Sequence, residues 1–244
     1  MQKIRYKKNL FGHILNNYAK GDKTPYAIVR DDGHREYPED PGLYFKAGRP
    51  SIEGKGIRYA SGRILDVGCG AGRYALAFQK KGLDVVGIDT DALCIQTSKE
   101  RGVKKALKED IFHPNKLRKL RFDTVWLAGN NLGIAGTMKK LPRLFAILDS
   151  LTSPDGVVLA TGIEFQKTDS PEHISYHKRQ IKRGHYPGEM KLRLEYKQHQ
   201  SDWFPWLHIA SHDLKTTLKH SVWHIEKLLP SKEGHYLAVI RKRK

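Results

Sequence analysis

The sequence has few cysteines and no long apolar segment. Only Cys69 and Cys94 occur among 244 residues, which is too few for a disulfide framework or a four-cysteine zinc site. No run approaches the roughly 20 apolar residues that a membrane-spanning helix requires, and the basic N-terminus lacks the apolar core of a signal peptide. We therefore expect a cytoplasmic protein of a reducing compartment that does not enter a membrane.

Acidic residues are also scarce relative to basic ones. The chain has 44 Lys and Arg against 26 Asp and Glu, a formal net charge of +18. Short basic runs lie at residues 116–121, 178–183 and 241–244. A surface of this kind attracts nucleic acid, anionic lipid or acidic small molecules. Short, scattered runs are nevertheless more often solvated faces and a frayed tail.

With 39% hydrophobic and 29% charged residues, the sequence has the composition of a globular protein. Glycine and proline interrupt residues 1–60, where we predict a short helix over residues 10–18 and otherwise an irregular N-terminal cap or lid. Strand and helix patterns alternate from residue 61 to residue 244, except at about 163–210. We therefore predict a main domain over 61–244 that carries an inserted substrate cap at 163–210.

The first strand–turn–helix unit is the clearest local pattern. Residues 63–67 form an apolar run typical of a buried parallel strand, and the glycine-rich turn 68–72 follows it. After a segment with helical spacing, residues 85–88 form a second strand that ends at Asp89. Asp91 stands where it can cap the next helix.

Further strands are predicted along the rest of the chain. Repeated strand–helix units of this kind build an α/β fold with a parallel, doubly wound sheet and right-handed crossovers. Within the insertion, residues 190–196 alternate apolar and polar side chains as a half-exposed strand does, and we expect 203–207 to pair with it. The other predicted strands are 106–107, 122–127, 157–161 and a closing pair at 222–229 and 236–240.

The turn at residues 68–72 carries the strongest chemical signal. A glycine-rich turn between a strand and a helix exposes backbone N–H groups and lets a ligand approach closely. The dinucleotide fingerprint G-x-G-x-x-G would require glycine where Arg73 stands. The sequence from Asp66 to Gly72 is instead D-x-G-x-G-x-G. Its acidic residue suits a ligand with a cationic amino group and would repel a pyrophosphate.

This run resembles the first motif of class I S-adenosylmethionine-dependent methyltransferases, closely over residues 62–162 and more loosely to residue 244. The resemblance implies a Rossmann-like, mostly parallel seven-stranded sheet with an antiparallel last strand, and S-adenosyl-L-methionine as the cofactor. It also implies that Asp66 receives the methionine amino group, directly or through water, and that Asp89 accepts from both ribose hydroxyls. The other cofactor-binding residues that it implies are Gly68, Cys69, Gly70, Gly72, Thr90, Asp110, Ile111 and Asn130.

Catalytic residues are hard to predict for this reaction. Methyl transfer needs little acid–base machinery, because most of the rate gain can come from holding the acceptor in line with the sulfonium. His173 and His177 are four residues apart but do not form H-E-x-x-H, and we expect no metal. The candidate catalytic residues are Asn130, Asn131, Glu164, His173 and His177.

The segment after the fourth main strand argues against two classes of acceptor. Residues 130–133 lack the Asn/Asp-Pro-Pro-aromatic pattern that goes with methylation of exocyclic base amines or glutamine amides. No cysteine stands where a nucleophile for cytosine C5 is needed, since Cys94 lies in the second helix. Cys69 lies in the cofactor turn, and we interpret it as a small residue packed beside the cofactor.

Three functions remain open on this evidence. We expect a methyltransferase that acts on O or N of a small-molecule acceptor, which the basic charge allows to be anionic. The alternative is an RNA-modifying methyltransferase that uses the basic surface, and the third is a cofactor-binding protein without catalysis. Arg179 and Arg183 are candidates for holding a carboxylate or phosphate, and residues 30–33 and 44–45 are expected to close over the cofactor.

Overall fold

The computed structural model describes residues 4–6, 9–46 and 52–243 of the chain, so the last residue of the basic run 241–244 lies outside it. No helix in these ranges is long and apolar enough to span a membrane. The strands in chain order are β1 (Ile4–Tyr6), β2 (Tyr26–Arg30), β3 (Arg35–Glu39), β4 (Arg63–Val67), β5 (Asp84–Asp89), β6 (Ala106–Lys108), β7 (Phe122–Leu127), β8 (Thr152–Ile163), β9 (Glu189–Tyr196), β10 (His199–Ser201), β11 (Phe204–Leu207), β12 (Trp223–Pro230) and β13 (His235–Lys242). The α-helices are α1 (Leu10–Ala19), α2 (Ile52–Gly56), α3 (Arg73–Lys80), α4 (Ala92–Glu100), α5 (Leu141–Leu151), α6 (Pro171–Lys182) and α7 (Ser211–Leu218).

The larger of two sheets has the strand order β12-β13-β8-β7-β4-β5-β6. β4 runs parallel to both β5 and β7, and β7 runs parallel to β8. β13 lies antiparallel between β8 and β12. The predicted α/β fold, a Rossmann-like, doubly wound and mostly parallel seven-stranded sheet with an antiparallel last strand, is confirmed. The carboxyl ends of β4 to β8 therefore meet at one edge, where α/β sheets bind ligands.

Side chains that alternate along the strands explain why helices cover both faces of this sheet. Leu65 and Val67 lie in the core beneath α5 and α7, whereas Ile64 lies in the core beneath α3 and α4. One face of α5 is fully buried. Its members are Leu141, Leu144, Phe145, Leu148 and Leu151.

The smaller sheet joins two segments that are far apart in the sequence. Its strand order is β1-β10-β9-β2-β3, and β11 also pairs with β9. Ala27 of β2 lies opposite Glu195 of β9, so the N-terminal region and the insertion share one sheet. We call these six strands the cap sheet.

Two predictions about the cap sheet have different outcomes. The expectation of an irregular N-terminal region beyond its first helix is wrong, because β2 and β3 form a hairpin there. The expected pairing of residues 203–207 with 190–196 is confirmed by β11 and β9. The limits 1–60, 61–244 and 163–210 stay predictions.

The cap sheet lies against the segment that follows β7. An added Cβ at Gly133 would stand 2.4 Å from Trp206 Cε2 of β11, and one at Gly136 would stand 3.1 Å from Pro205 Cβ. Glycine at these two positions therefore lets β11 approach closely. The cap sheet consequently covers the carboxyl end of β7.

The helix α1 fastens the N-terminal region to α4. The backbone N–H of Gly12 donates to Asp91 Oδ2 at 2.9 Å, and Asn16 Nδ2 donates to Thr97 Oγ1 at 3.1 Å. The other oxygen of Asp91 accepts from the backbone N–H of Leu93, which confirms Asp91 as the cap of α4. One carboxylate thus caps α4 and holds α1 beside it.

Candidate active site

The glycine turn between β4 and α3 is held in a conformation that only glycine adopts readily. Gly68, Gly70 and Gly72 have φ values of 71°, 53° and 79°, in the left-handed region. An added Cβ would stand 2.5 Å from Asn131 Nδ2 at Gly68 and 2.5 Å from Val103 Cγ2 at Gly72. At Gly70 it would meet only Leu15 Cδ1, at 3.5 Å. The protein itself packs against two of the glycines and leaves the middle one open to a ligand.

Asp66 lies beneath this turn with an unsatisfied carboxylate. Its relative exposure is 3%, and Oδ2 has no hydrogen-bond partner. Burial raises the pKa of Asp66 to about 7, although the positive charge of Arg73 and a hydrogen bond from the Ala75 backbone oppose the shift. A buried acceptor without a donor is costly. The site therefore fits a ligand that brings a donor, best of all a cationic one.

Asp89 stands at the end of the neighbouring strand, in contact with the turn. Its Oδ2 accepts from the backbone N–H of Gly70 at 3.0 Å, and its Oδ1 accepts from that of Asp91 at 2.9 Å. Burial raises the pKa of Asp89 to about 6, despite bonds from Asp91, Gly70 and the Thr90 backbone that lower it. Each oxygen keeps a further lone pair for a ligand hydroxyl.

Asp66 and Asp89 are close together because their strands are paired. The register sets Val67 opposite Ile88, which brings Asp89 beside the start of the turn. Cys69 lies between these elements with its thiol buried. Burial raises the pKa of that thiol well above its usual range, so the group stays protonated and packs as a small side chain.

Asp110 and Ile111 follow β6 at the same edge of the sheet. The backbone N–H of Glu109 donates to the Asp89 carbonyl at 3.0 Å, which ties this loop to the end of β5. Asp110 Oδ1 accepts from the Phe112 N–H at 2.9 Å. Ile111 is buried in the core beneath α5. The loop is therefore tied to the end of β5, but both carboxylate oxygens of Asp110 already have partners within it, since His113 Nδ1 lies 3.1 Å from Oδ2.

Asn130 and Asn131 follow β7 and differ in what they do. Asn130 has a φ of 61°, a strained value for a residue other than glycine. Its backbone N–H donates to Thr161 Oγ1 at 3.1 Å, whereas its side-chain Oδ1 is buried without a partner. Asn131 Nδ2 donates to the Val67 carbonyl at 2.8 Å. Asn131 thus braces the glycine turn, and Asn130 holds an unused acceptor at the strand ends.

The remaining catalytic candidates lie around the end of β8 and on α6. Glu164 follows β8, where its backbone N–H donates to the Gly234 carbonyl at 2.8 Å. His173 Nδ1 lies 2.8 Å from Arg30 Nη1, and the His177 ring packs edge-on against Phe165 at 5.0 Å. No group of three metal-ligating side chains occurs within the described part of the chain.

Two arginines that were predicted to lie near a bound ligand form ion pairs within the protein instead. Arg30 and Arg179 both pair with Asp32, at 2.8 and 3.1 Å. Residues 30–33 therefore contact α6 and do not close over the glycine turn. A cavity of about 370 Å³ lies beside this cluster, and none of the predicted cofactor-binding residues lines it. Arg183 is exposed.

Residues 44–45 do lie at the glycine turn. Tyr44 and Phe45 pack against the cluster of Leu15, Ala71 and Cys94. Two arginines that sequence reasoning missed hold this region in place. Arg101 donates to the carbonyls of Ala71 and Phe45, and Arg73 donates to the Leu43 carbonyl at 2.7 Å. Arg73 directly follows the turn, whereas Arg101 follows α4, so no sequence pattern linked Arg101 to the turn.

Comparison with known proteins identifies the family. Residues 64–156 match the family model of a methyltransferase domain. The crystal structure of an S-adenosylmethionine-dependent methyltransferase from Bacteroides fragilis, in complex with S-adenosyl-L-homocysteine, is similar with a TM-score of 0.83 and 26% identity, over 97% of this chain and 96% of that one. The domain over residues 64–156 is that of a class I S-adenosylmethionine-dependent methyltransferase. The cofactor of this methyltransferase is accordingly S-adenosyl-L-methionine, as the resemblance implied.

Other relatives of this methyltransferase are more distant or cover less of it. A ribosomal protein L11 methyltransferase of Photobacterium profundum is 29% identical over 160 residues, 58% of this chain and 52% of that protein. Its counterpart from Alteromonas mediterranea is 33% identical over 95 residues, 35% of this chain and 32% of that protein. The chain thus spans from about a third to about half of the length of these curated relatives. The CcbJ methyltransferase of Streptomyces caelestis shares the fold, with a TM-score of 0.61 and 13% identity over 80% of this chain and 91% of that one.

Proposed function

We propose that this protein transfers a methyl group from S-adenosylmethionine to an oxygen or nitrogen of a small-molecule acceptor. The observation that carries the cofactor site is the buried carboxylate of Asp66, whose Oδ2 has no partner. A ligand ammonium would supply the missing donor in the form of a charge-assisted hydrogen bond, which is stronger than a neutral one.

The chain's residues take distinct roles in this proposal. Asp66 holds the methionine ammonium, and Asp89 accepts from the two ribose hydroxyls with lone pairs that Gly70 and Asp91 leave free. Gly70 gives the backbone room to approach the ligand. Asp110 and Ile111 border the adenine, where the apolar side chain covers one face of the ring.

The electrostatics of the turn favour a cationic cofactor. The pKa values of Asp66 and Asp89 are raised by burial to about 7 and about 6. A cation bound beside them stabilises the ionised carboxylates and lowers both pKa values. Cofactor binding is therefore expected to release protons near neutral pH and to weaken as the pH falls through about 7 and then about 6.

The reaction itself requires mainly correct placement. S-Adenosylmethionine supplies an electrophilic methyl group on a sulfonium. Asn130, at the carboxyl end of β7, offers the unpaired Oδ1 to an N–H or O–H of the acceptor, which orients the acceptor's lone pair. The cap sheet covers this end of the sheet through β11 and excludes water from the acceptor side. Such a cover favours a small acceptor over an extended one.

A macromolecular acceptor is the second candidate. The net charge of +18 favours RNA, because a basic surface gains affinity from phosphate neutralisation. The curated relatives are named as ribosomal protein methyltransferases, so a protein acceptor belongs in the same test. The similarity of these relatives to this protein covers at most 58% of the chain. In the proposal, the cap sheet is the part of the chain that meets the acceptor.

The decisive experiment follows a labelled methyl group into a cell extract. The extract is separated into small-molecule, RNA and protein pools, and each is incubated with methyl-labelled S-adenosylmethionine and the protein. We expect label in the small-molecule pool, with none when Asp66→Asn replaces the native chain. Label confined to RNA or protein would overturn the small-molecule proposal, and no label in any pool would overturn the enzyme proposal.

A further inference from the structure

The cap sheet has one face packed against the protein and one face turned away from it. Tyr26 of β2 and Leu194 of β9 lie on the first face, where they form a buried cluster with Leu10 and Ile14 of α1. Side chains that alternate with these along the strands lie on the opposite side, which we call the outer face. Lys191 of β9 is exposed there. The outer face is therefore a surface of the molecule.

A row of side chains crosses the outer face from strand to strand. Arg193 of β9 lies opposite Val29 of β2, and Val29 lies opposite Arg35 of β3. At one end of the row, the ring of Trp203 lies 4.8 Å from Arg193 Cζ, just before β11 begins. At the other end, the ring of Tyr37 lies 5.6 Å from Arg35 Cζ. Because the row runs over β11, β9, β2 and β3, it spans about 14 Å across the strands.

The two aromatic rings of this row are open to solvent. Tyr37 is 59% exposed and Trp203 is 42% exposed. Among the residues whose side chains the structure describes, the other exposed large apolar side chains are all aliphatic. The exposed rings of the protein are therefore both on the outer face, and each lies beside a guanidinium. Such a pair of groups suits a partner that has flat π-systems and negative charge.

One buried carboxylate holds both guanidinium groups in place. The side chain of Glu195 is 4% exposed and pairs with Arg35 and with Arg193, the latter at 2.8 Å. Two guanidinium groups around one carboxylate leave a net positive charge, to which Lys191 adds a second one. Because Glu195 already fixes the arginines, they lose little side-chain entropy when an anion binds to them.

We infer that the outer face of the cap sheet binds a segment of single-stranded RNA. Bases stack on Trp203 and Tyr37, and Arg193, Arg35 and Lys191 attract the phosphates of the same strand. Stacking on a flat sheet requires unpaired bases, which RNA offers in its loops, bulges and ends. The net charge of +18 favours the same partner. The inference does not rest on the proposed function, because RNA that is bound here need not be the methyl acceptor.

Fluorescence anisotropy of the full-length protein with a labelled oligouridine of about 12 nucleotides tests this surface. Trp203→Ala and Tyr37→Ala should each weaken binding about tenfold, which is within the range for the loss of one base–aromatic stack. Trp203→Phe and Tyr37→Phe keep a ring and should bind nearly as the native chain does. Leu228→Ala is the matched control, since Leu228 is an exposed side chain on a strand of the larger sheet, and its affinity should not change.

The salt dependence of binding tests the phosphate contacts. Lys191→Gln should reduce the slope of log affinity against log salt concentration by about 0.7, the value for one phosphate contact to a single strand. Lys119→Gln removes an equal charge from the basic run 116–121, where Lys119 is exposed, and should leave the slope unchanged. Equal reductions in the two variants would show that only the overall charge attracts RNA, which would overturn the inference.

Three further results would overturn it. Native affinity in both Trp203→Ala and Tyr37→Ala would show that no base stacks on these rings. Displacement of oligouridine by poly-L-glutamate at equal charge concentration would indicate an acidic polypeptide as the partner. Tighter binding of oligothymidine than of oligouridine would indicate DNA.

Calorimetry with S-adenosyl-L-homocysteine separates this inference from the proposed function. Trp203→Ala and Tyr37→Ala should leave the affinity for this ligand unchanged, which also shows that the variants are folded. Cofactor binding without RNA binding would overturn only the RNA surface. RNA binding without cofactor binding would overturn the proposed function and leave the RNA surface in place.

Discussion

The backbone N–H of Gly70 donates to Asp89 Oδ2 at 3.0 Å. This bond joins the open glycine of the turn to the acid at the end of the neighbouring strand. The two groups that are proposed to meet the ribose are thereby held at a fixed separation before any ligand arrives. Such prior organisation reduces the entropy that a ligand must otherwise lose on binding.

Asp89→Ala should weaken the binding of S-adenosyl-L-homocysteine by about 1–3 kcal/mol, the range for hydrogen bonds to a charged group. Isothermal titration calorimetry measures the change. Asp84→Ala is the matched control, because Asp84 begins the same strand but pairs with Arg63 and Lys105. Equal affinities for Asp89→Ala and the native chain would contradict the ribose assignment.

Gly70→Val should abolish cofactor binding, because a branched side chain would fill the space that the turn leaves open. The variant also places valine at a φ of 53°, so backbone strain needs its own control. Gly82→Val supplies it, since Gly82 has a φ of 79° and nothing within 4 Å of an added Cβ. Circular dichroism checks the fold, and retained binding in Gly70→Val would show that the ligand lies elsewhere.

Asp66→Asn should raise the melting temperature of the ligand-free protein at pH 8 and abolish most cofactor affinity. The folded pKa of Asp66 is about 7, against an ordinary value of 3.8. Its contribution to stability is therefore fully present below about pH 4 and is lost as the pH rises through 7. Asparagine has no carboxyl group to ionise, so the variant does not lose this stability as the pH rises. A variant that melts below the native chain at pH 8 would contradict the burial of Asp66 Oδ2 without a partner.

Asn131→Ala and Asn130→Gly should have different effects, because Asn131 is proposed to brace the glycine turn and Asn130 to face the ligand. Asn131→Ala removes the donor to the buried Val67 carbonyl and should lower the free energy of unfolding by about 1–2 kcal/mol. Asn130→Gly relieves a left-handed backbone, so stability should stay equal or rise while methyl transfer falls. Chemical denaturation and a label-transfer assay measure the two effects, and equal destabilisation by both would contradict the distinction.

Local sequence patterns predicted the elements that carry the cofactor chemistry. The D-x-G-x-G-x-G turn, the strand ending at Asp89 and the cap at Asp91 each depend on neighbours within a few residues. Glycine preference for positive φ and side-chain capping act over the same short range. The parallel strands were predictable for the same reason, since their apolar runs are continuous.

Other features could not be predicted from the sequence, because they depend on contacts between residues that are far apart in the chain. β2 has five residues and its partner β9 lies more than 150 residues further along the chain, so no local pattern indicates their pairing. Asn131 and Asn130 are adjacent in sequence, yet one braces the glycine turn and the other keeps an unpaired oxygen.

The amino-acid order alone therefore determined the strand–turn–helix units, the glycine turn and the acids at two strand ends. Conformational preference and side-chain alternation specify these features within a few residues. Tertiary structure decided that the N-terminal hairpin and residues 189–207 build one cap sheet, and that Oδ2 of Asp66 is buried without a partner beneath the turn. Those outcomes depend on which parts of the chain, far apart in sequence, pack together. The pKa of Asp66 is set by its burial, and that burial exists only once this packing has formed.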